Sequence, residues 1–172
     1  LGEHSKRYSH VAEKLSDNNI ATIAFDLRGH GRSQGKRGHI DDYGLFLEDI
    51  TLVMEKAENL FPRKPIFLYG HSMGGNLVIN YALKFYPDIQ GIIASSPWLE
   101  LTNKPGKLKT FSAGFLSKIW PSYSEHRNLP SSTLSTDPKV GEAYDIDPLC
   151  HNRISAKLFT EITKNGQWNV DN

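Results

Sequence analysis

The stretch Gly70-His71-Ser72-Met73-Gly74 determines how the rest of this chain is interpreted. An apolar run over residues 65–69 precedes it, and a helical pattern of apolar positions over residues 74–86 follows it. A Gly-x-Ser-x-Gly sequence between a strand and a helix is typical of a nucleophile elbow, a sharp turn that exposes a serine at the end of a strand. The sequence therefore predicts such an elbow, with a simple tight turn as the alternative interpretation.

Each residue type at this turn has a chemical reason. A serine hydroxyl is a weak nucleophile until a base activates it, and Ser72 is the predicted catalytic nucleophile. We expect Gly70 and Gly74 to be elbow glycines because a Cβ beside a strained turn would clash. The following helix points its free N–H groups at the site, which predicts the Met73 N–H as an oxyanion-hole donor. We expect His71 to pack beside the turn and not to act as the base.

Composition excludes several classes of protein. The chain has 172 residues, of which 38% are hydrophobic and 23% charged, and its formal net charge is +1. This is enough for one domain of ordinary size, and the charge gives no electrostatic case for binding nucleic acid. The sequence contains no run of 18 apolar residues, so it predicts no membrane-spanning helix. The single cysteine, Cys150, excludes an internal disulfide and a cysteine metal cluster, and we expect neither a metal ion nor a cofactor.

Helical and strand patterns alternate over the first 96 residues. Short apolar runs predict buried strands, and apolar stripes at i, i+3, i+4 spacing predict helices with one buried face. The alternation favours a parallel α/β sheet with right-handed crossovers. The predicted order is a helix over 8–15 with Ser5 as N-cap, a strand over 20–25, a helix from Asp41 or Asp42 to Leu60, the elbow strand and helix, and a strand over 91–95. The predicted buried positions of the two longer helices are Phe46, Ile50, Val53, Met54, Ala57, Leu60, Leu77, Val78, Tyr81, Ala82 and Phe85.

The pattern changes from Pro97 onward, where Pro- and Ser-rich turns join helices and no further strand is predicted. We therefore interpret residues 97–172 as a helical insertion. Its first helix carries an apolar stripe that includes Phe111 and Phe115. The predicted helices are one over 108–119, one with Asp137 as N-cap and Pro138 first, and one capped by Ser155 and stopped by Gly166.

Five motifs follow one another along the chain. They are Leu1-Gly2-Glu3-His4-Ser5-x-Arg7-Tyr8, Asp26-x-Arg28-Gly29-His30-Gly31-x-Ser33-x-Gly35, the Gly70 to Gly74 stretch, Ser95-Ser96-Pro97 and Asp147-Pro148-Leu149. In this order and at about this spacing, they resemble the monoacylglycerol lipase and bacterial lysophospholipase branch of the α/β-hydrolases. The resemblance extends over the whole chain, although the lipase, lysophospholipase and esterase labels within the family are weakly separated.

The resemblance implies an α/β-hydrolase fold, in which helices flank a mostly parallel sheet and a helical cap is inserted. Residues 1–96 would be the N-terminal part of the core and residues 97–172 the cap. In this family, the residue after a His-Gly dipeptide gives the second oxyanion N–H, which implies that role for Leu1. The family's triad acid and histidine follow the cap, so we expect neither in this chain. A family strand that precedes Leu1 lies between the first two strands predicted here, so we expect the sheet to be incomplete.

The resemblance also implies a function. It is that of a serine hydrolase that cleaves carboxylic esters of single-acyl lipids, a monoacylglycerol or a lysophospholipid, through an acyl-serine intermediate. A short-chain esterase or acyltransferase on the same scaffold, and a non-catalytic binding module that kept the elbow, stay open as alternatives. We expect the 172-residue chain alone to be inactive.

Several finer expectations concern ligands and location. Phe111 and Phe115 are expected to line an acyl pocket, with plain cap packing as the alternative. The lysines near them suggest either a solvated face or transient contact of the cap with a membrane surface. We expect a cytoplasmic protein, with membrane association as an open alternative. Arg28, His30 and Arg32 among glycines suggest a phosphate-binding loop, whereas the family uses this segment as a structural loop.

Overall fold

The computed structural model describes residues 1–101, 106–126 and 130–172, and it leaves the side chains of residues 107–111 undescribed. Two short 3-10 helices, Ser5–Tyr8 and Ser131–Thr133, accompany six α-helices and four strands within these ranges. The helices are α1 (Ser9–Ser16), α2 (Gly44–Leu60), α3 (Met73–Phe85), α4 (Lys107–Ile119), α5 (Pro138–Ile146) and α6 (Ala156–Asp171). The strands are β1 (Phe67–His71), β2 (Gly91–Ser95), β3 (Ser124–His126) and β4 (Arg153–Ser155).

The unit that carries the predicted elbow is a parallel β–α–β arrangement. β1 and β2 pair in parallel, with Phe67 opposite Gly91 and His71 opposite Ser95. Helix α3 connects them and packs on both strands. A parallel pair requires such a crossover, and this one confirms the predicted order of strand, turn, helix and strand.

The predicted strand over residues 20–25 is wrong. This segment has no regular secondary structure, and among the described residues no backbone hydrogen bond joins residues 21–25 to another segment. A strand is defined by its ladder, so an apolar run without a neighbouring strand beside it does not form one. The sheet of the described chain is correspondingly short, with two strands in the parallel sheet and a separate antiparallel pair, β3 and β4, that the sequence did not indicate.

The two longer helices of the first half begin and end close to the predicted positions. Asp41 or Asp42 was expected to cap α2, but its N-cap residue is Tyr43, without a side-chain cap. Asp42, one residue earlier, accepts a hydrogen bond from Gly44 N at 2.7 Å on its Oδ1. Leu60 and Phe85 were expected to face inward, but 51% and 55% of their surfaces are exposed. Each is the last residue of its helix. Leu47 is buried although it was not predicted to be.

One hydrophobic core joins the two halves of the chain. Leu158 and Ile162 of α6 are fully buried and belong to the same cluster as residues of α2 and α3. The other members of this cluster are Ile40, Tyr43, Phe46, Leu47, Ile50, Met54, Met73, Leu77 and Tyr81. Helix α6 therefore packs directly on the helix that starts at the elbow.

Two other expected helix ends are confirmed and two others are wrong. Asp137 and Ser155 cap α5 and α6, since their side chains accept hydrogen bonds from the main-chain N–H groups of Lys139 and Leu158. Gly166 does not stop α6, which continues to Asp171. Its lack of a side chain instead allows close packing, because a Cβ there would overlap Leu99 O.

The second wrong end lies at the start of the chain. Ser5 is not the N-cap of an α-helix, because it begins the 3-10 helix that precedes α1. The Ser5 N–H donates to Asp26 Oδ1 at 2.7 Å, so this serine is held by its main chain.

Candidate active site

Ser72 lies between the end of β1 and the start of α3, in a strained backbone conformation. Its φ is 55° and its ψ is −115°. A non-glycine residue in such a sparsely populated region costs on the order of 1–3 kcal/mol and persists only where the surroundings hold it. Here the surroundings are hydrogen bonds: Ser72 N donates to Ser95 O at 2.9 Å, and Ser72 O accepts from Asn76 N at 3.1 Å and Trp98 N at 2.9 Å.

The steric reason expected for the elbow glycines holds at Gly70 and fails at Gly74. A Cβ on Gly70 would overlap Gly74 O, whereas a Cβ on Gly74 would meet no atom within 4 Å. The close approach falls one residue later, because a Cβ on Gly75 would lie 2.9 Å from Pro97 Cα. The turn thus needs small residues at positions 70 and 75. The requirement at position 75 could have been predicted from the pair Gly74-Gly75 in the sequence.

Met73 is the first residue of α3 and is 99% buried, with 1% of its surface exposed. The first amides of a helix have no intrahelical acceptor, and no described residue accepts a hydrogen bond from the Met73 N–H. The Met73 N–H is therefore available to bind an acceptor at the positive end of the α3 dipole. Its assignment to the oxyanion hole stays a prediction.

The segment that contains Leu1 is attached to the loop after α5. Leu1 packs against the hydrophobic core that includes Met73. Gly2 O accepts a hydrogen bond from His151 N at 2.9 Å, and His4 Nε2 lies 2.8 Å from Asp147 Oδ2. The hydrogen bond with His4, followed by the one from Leu149 N, lowers the pKa of Asp147 below its ordinary value. The described hydrogen bonds do not join Leu1 to Ser72, and its oxyanion role also stays a prediction.

The described histidines do not supply a base for Ser72. His71 is exposed, and its Nδ1 lies 3.3 Å from Ser95 Oγ, so its ring lies beside the turn. Among the described residues, no histidine or carboxylate hydrogen-bonds to Ser72 Oγ. Within the described residues, Ser72 therefore lies at a helix start without a triad partner in contact, and its role as nucleophile stays a prediction.

The glycine-rich loop after residue 25 is a structural loop. Arg28 Nε donates to Asp49 Oδ2 at 2.7 Å, so its charge is already paired. His30 is 2% exposed, and burial lowers its pKa to about 3, which keeps the ring neutral. Neither of these two side chains offers an unpaired positive charge. Arg32, the third residue of the phosphate-binding alternative, is exposed, so that alternative stays untested.

Asp26 organises this loop, a role that the sequence analysis missed. Its carboxylate accepts hydrogen bonds from Ser5 N at 2.7 Å and Arg32 N at 2.8 Å. Burial opposes its ionisation, yet the two backbone hydrogen bonds lower its pKa overall. The signal was present, since an aspartate directly before a Gly-rich loop is well placed to accept from loop amides.

One group of potential metal ligands occurs among the described residues. Ligand atoms of His4, Asp147 and Cys150 lie within 4.8 Å of one another. The His4–Asp147 hydrogen bond accounts for two of them, and burial raises the pKa of the Cys150 thiol to about 11. The expectation that the protein binds no metal ion stays a prediction.

The predicted acyl-pocket residues are described unequally. The Phe111 side chain lies outside the described side chains, while Phe115 on α4 is 55% exposed. Ile119 and Trp120, which follow on the same surface segment, are 63% and 59% exposed. The described part of α4 thus presents an apolar surface. Within the described residues, no helix combines the length and apolarity needed to cross a bilayer.

The strained serine between a parallel strand and its crossover helix, with the close glycine contact at position 70, defines an α/β-hydrolase fold. The chain belongs to the Hydrolase_4 family, described as serine aminopeptidase S33, whose model matches residues 1–172.

Two relatives and one solved structure illustrate the similarity. The chain is 38% identical over 174 residues to an abhydrolase domain-containing protein of Dictyostelium discoideum, covering 99% of this chain and 18% of that protein. It is 35% identical over 150 residues to a monoacylglycerol lipase of Mycolicibacterium smegmatis, covering 87% of this chain and 53% of the relative. The crystal structure of Paleococcus ferrophilus monoacylglycerol lipase matches with a TM-score of 0.89 at 36% identity, covering 99% of this chain and 64% of that one. The chain thus spans about half of the length of the lipase it matches in sequence.

Proposed function

We propose that this chain carries the nucleophile of a serine hydrolase that cleaves carboxylic esters of single-acyl lipids, monoacylglycerols or lysophospholipids. The observation that carries the proposal is Ser72, held at φ 55° between β1 and α3. Strained backbone at an exposed turn is retained where function requires it. The monoacylglycerol lipases among the relatives support this class of substrate.

The proposed mechanism uses the elbow to form an acyl-serine. Ser72 Oγ attacks the ester carbonyl, a base takes the hydroxyl proton, and the alcohol leaves once it has been protonated. The Met73 and Leu1 N–H groups hold the oxyanion of the tetrahedral intermediate. Water then releases the fatty acid. The base and its orienting acid are not among the described contacts of Ser72, and in the family order of serine, acid and histidine both follow the serine along the chain.

The exposed apolar surface of α4 supports a lipid substrate. Phe115, Ile119 and Trp120 would cover an acyl chain or touch a lipid surface that delivers it. Each buried methylene contributes about 0.8 kcal/mol, so such a surface favours longer esters. A cytoplasmic protein with transient membrane contact through the cap, residues 97–172, fits this proposal.

The test is turnover by the full-length protein of monoacylglycerols with acyl chains of 2 to about 18 carbons, beside the matching lysophospholipids. We expect kcat/KM to rise with chain length and the Ser72→Ala variant to be inactive at every length. Phe115→Ala should reduce kcat/KM for long chains several-fold more than for short ones.

Three outcomes would contradict parts of this proposal. Equal losses at all lengths in Phe115→Ala would assign this residue to packing of the cap. A preference for acetyl or butyryl esters in the wild type would favour the short-chain esterase. Undiminished turnover by Ser72→Ala would remove the serine mechanism.

A further inference from the structure

A fully buried asparagine lies one helical turn after Ser72. Asn76 has no exposed surface, and both atoms of its side-chain amide are hydrogen-bonded. Its Nδ2 donates to Trp98 O at 2.8 Å and to Ile162 O at 3.3 Å, and its Oδ1 accepts from the Tyr43 hydroxyl at 2.7 Å. One side chain thereby joins α3 to the start of α2, to the turn after β2 and to α6. A buried amide satisfied in this way is costly to displace.

The turn that Asn76 holds is the one that contacts the nucleophile. Trp98 donates its main-chain N–H to Ser72 O and receives the Asn76 amide on its own carbonyl. Ser96, two residues earlier, is also strained, with φ at 41°. Gly75 approaches Pro97 so closely that a Cβ there would lie 2.9 Å from Pro97 Cα. The segment 96–98 is therefore pressed against the elbow and fixed there by hydrogen bonds on both sides of Trp98.

We propose that Asn76 is a positioning residue for Ser72: its amide holds the Trp98 turn against the Ser72 carbonyl and so maintains the strained backbone that presents the hydroxyl. The inference rests on the proposed function, since it concerns the reaction at Ser72. The physical reason is that a strained conformation relaxes when the contacts that enforce it are removed. A displacement of the nucleophile by about 1 Å can cost on the order of a hundredfold in rate.

The same helix offers a matched control. Asn80 is also fully buried and lies one turn further along α3. Its Nδ2 donates to Asn169 Oδ1 at 2.6 Å and to Asn165 Oδ1 at 3.4 Å, both on α6. Asn80 thus binds α3 to α6 as Asn76 does, but it has no hydrogen bond to the turn that contacts Ser72. Loss of either amide should weaken the fold, and only loss of the first should disturb the nucleophile.

The experiment compares wild type, Asn76→Ala and Asn80→Ala in the full-length protein, measuring Tm together with kcat and KM on a monoacylglycerol. We expect a lower Tm in both variants. In Asn76→Ala, kcat should fall about tenfold to a hundredfold, while KM stays within about twofold of the wild-type value. Asn80→Ala should keep kcat within about threefold of wild type. A purely structural role would lower Tm in both variants without separating their kcat values.

A milder variant covers the case in which Asn76→Ala does not fold. Tyr43→Phe removes only the hydroxyl that fixes Asn76 Oδ1, and we expect a several-fold loss of kcat at unchanged KM. The positioning role would be overturned if the folded Asn76→Ala variant kept wild-type kcat, or if the two alanine variants lost kcat equally. If Asn76→Ala does not fold, wild-type kcat in Tyr43→Phe would overturn it. An inactive wild-type protein would instead overturn the proposed function, and this inference with it.

Discussion

At the scale of single residues, we expect the buried His30 to make the stability of this protein depend on pH. Its ring is buried against the His151 ring, with 5.0 Å between centroids, and its Nδ1 lies 3.1 Å from Arg28 O. The carbonyl can only accept, so Nδ1 carries the proton of the neutral ring. Burial lowers the pKa of His30 to about 3.

We predict that acid destabilises the protein through this residue. The folded-state pKa lies below the unfolded value of about 6.5, so between about pH 6.5 and pH 3 the unfolded state binds the proton first. The contribution of His30 to the free energy of unfolding is therefore complete above pH 6.5 and is lost as the pH falls, by about 1.4 kcal/mol per pH unit. Denaturant unfolding at several pH values from 7 to 4 measures it.

The comparison uses two histidine variants. His30→Gln should reduce the slope of the free energy of unfolding against pH by the contribution of about one proton. His10→Gln, at an exposed position of α1, should leave that slope unchanged. An identical slope in wild type and His30→Gln would show that His30 does not cause the acid sensitivity.

The residue scale also shows what a sequence can and cannot predict. Asp137 and Ser155 were predicted as helix caps because capping is local and depends on the next three residues. Gly166 was mistaken for a helix stop because its reason for being glycine is an approach to Leu99, which is distant in sequence. The Asn76 contacts were missed for the same cause, since an asparagine in a helix gives no local sign of its partners.

At the scale of elements, several contacts attach the first eight residues to the region from α5 to β4. They include the His4–Asp147 pair, the hydrogen bond from His151 N to Gly2 O, a 3.4 Å contact from Arg7 Nη2 to Val140 O, and the Arg7 guanidinium 5.4 Å from the centre of the Tyr144 ring. His4 is 7% exposed, and Asp147 is the hydrogen-bond partner of its Nε2 in a place that water hardly reaches. If Leu1 donates to the oxyanion, these contacts determine where its N–H points.

We predict that Asp147→Ala destabilises the protein by about 1–3 kcal/mol, because it leaves the buried His4 ring without its Nε2 partner. Ester hydrolysis should fall as well, through the loss of order at residues 1–4. Asp145→Ala is the control, since Asp145 is exposed and accepts only from Ser131 Oγ. Chemical denaturation and kcat measure both effects. Equal small losses in the two variants would mean that the His4–Asp147 pair adds nothing to the attachment.

The predicted strand over residues 20–25 failed for a physical reason, whereas the strand predicted over 91–95 is confirmed as β2. The apolar run over 20–25 resembles the run that became β1, but only the latter has a described strand beside it. Helices satisfy their own backbone groups, so their boundaries follow from local sequence more closely than those of strands. The predicted α2 and α3 were accordingly recovered almost residue by residue.

At the scale of the whole molecule, a single core links the elbow to the C-terminal helix. Helix α6, which the sequence suggested was part of a cap, contributes Leu158 and Ile162 to the cluster that surrounds Met73. The division into a core part, residues 1–96, and a cap, residues 97–172, stays a proposal. The family and the α/β-hydrolase fold, in contrast, were predicted from the order and spacing of the five motifs, and the family match and the lipase structure confirm them.

The central claim is that Ser72 is an activated nucleophile, and its most direct test is covalent labelling of the full-length protein with a fluorophosphonate, followed by intact mass and peptide mapping. Activated serines displace fluoride from phosphorus, whereas ordinary surface serines do not react at a comparable rate. We predict one adduct per chain, on the peptide that contains Ser72, and none in Ser72→Ala. An unlabelled wild type, or labelling that persists in the alanine variant, would contradict the account.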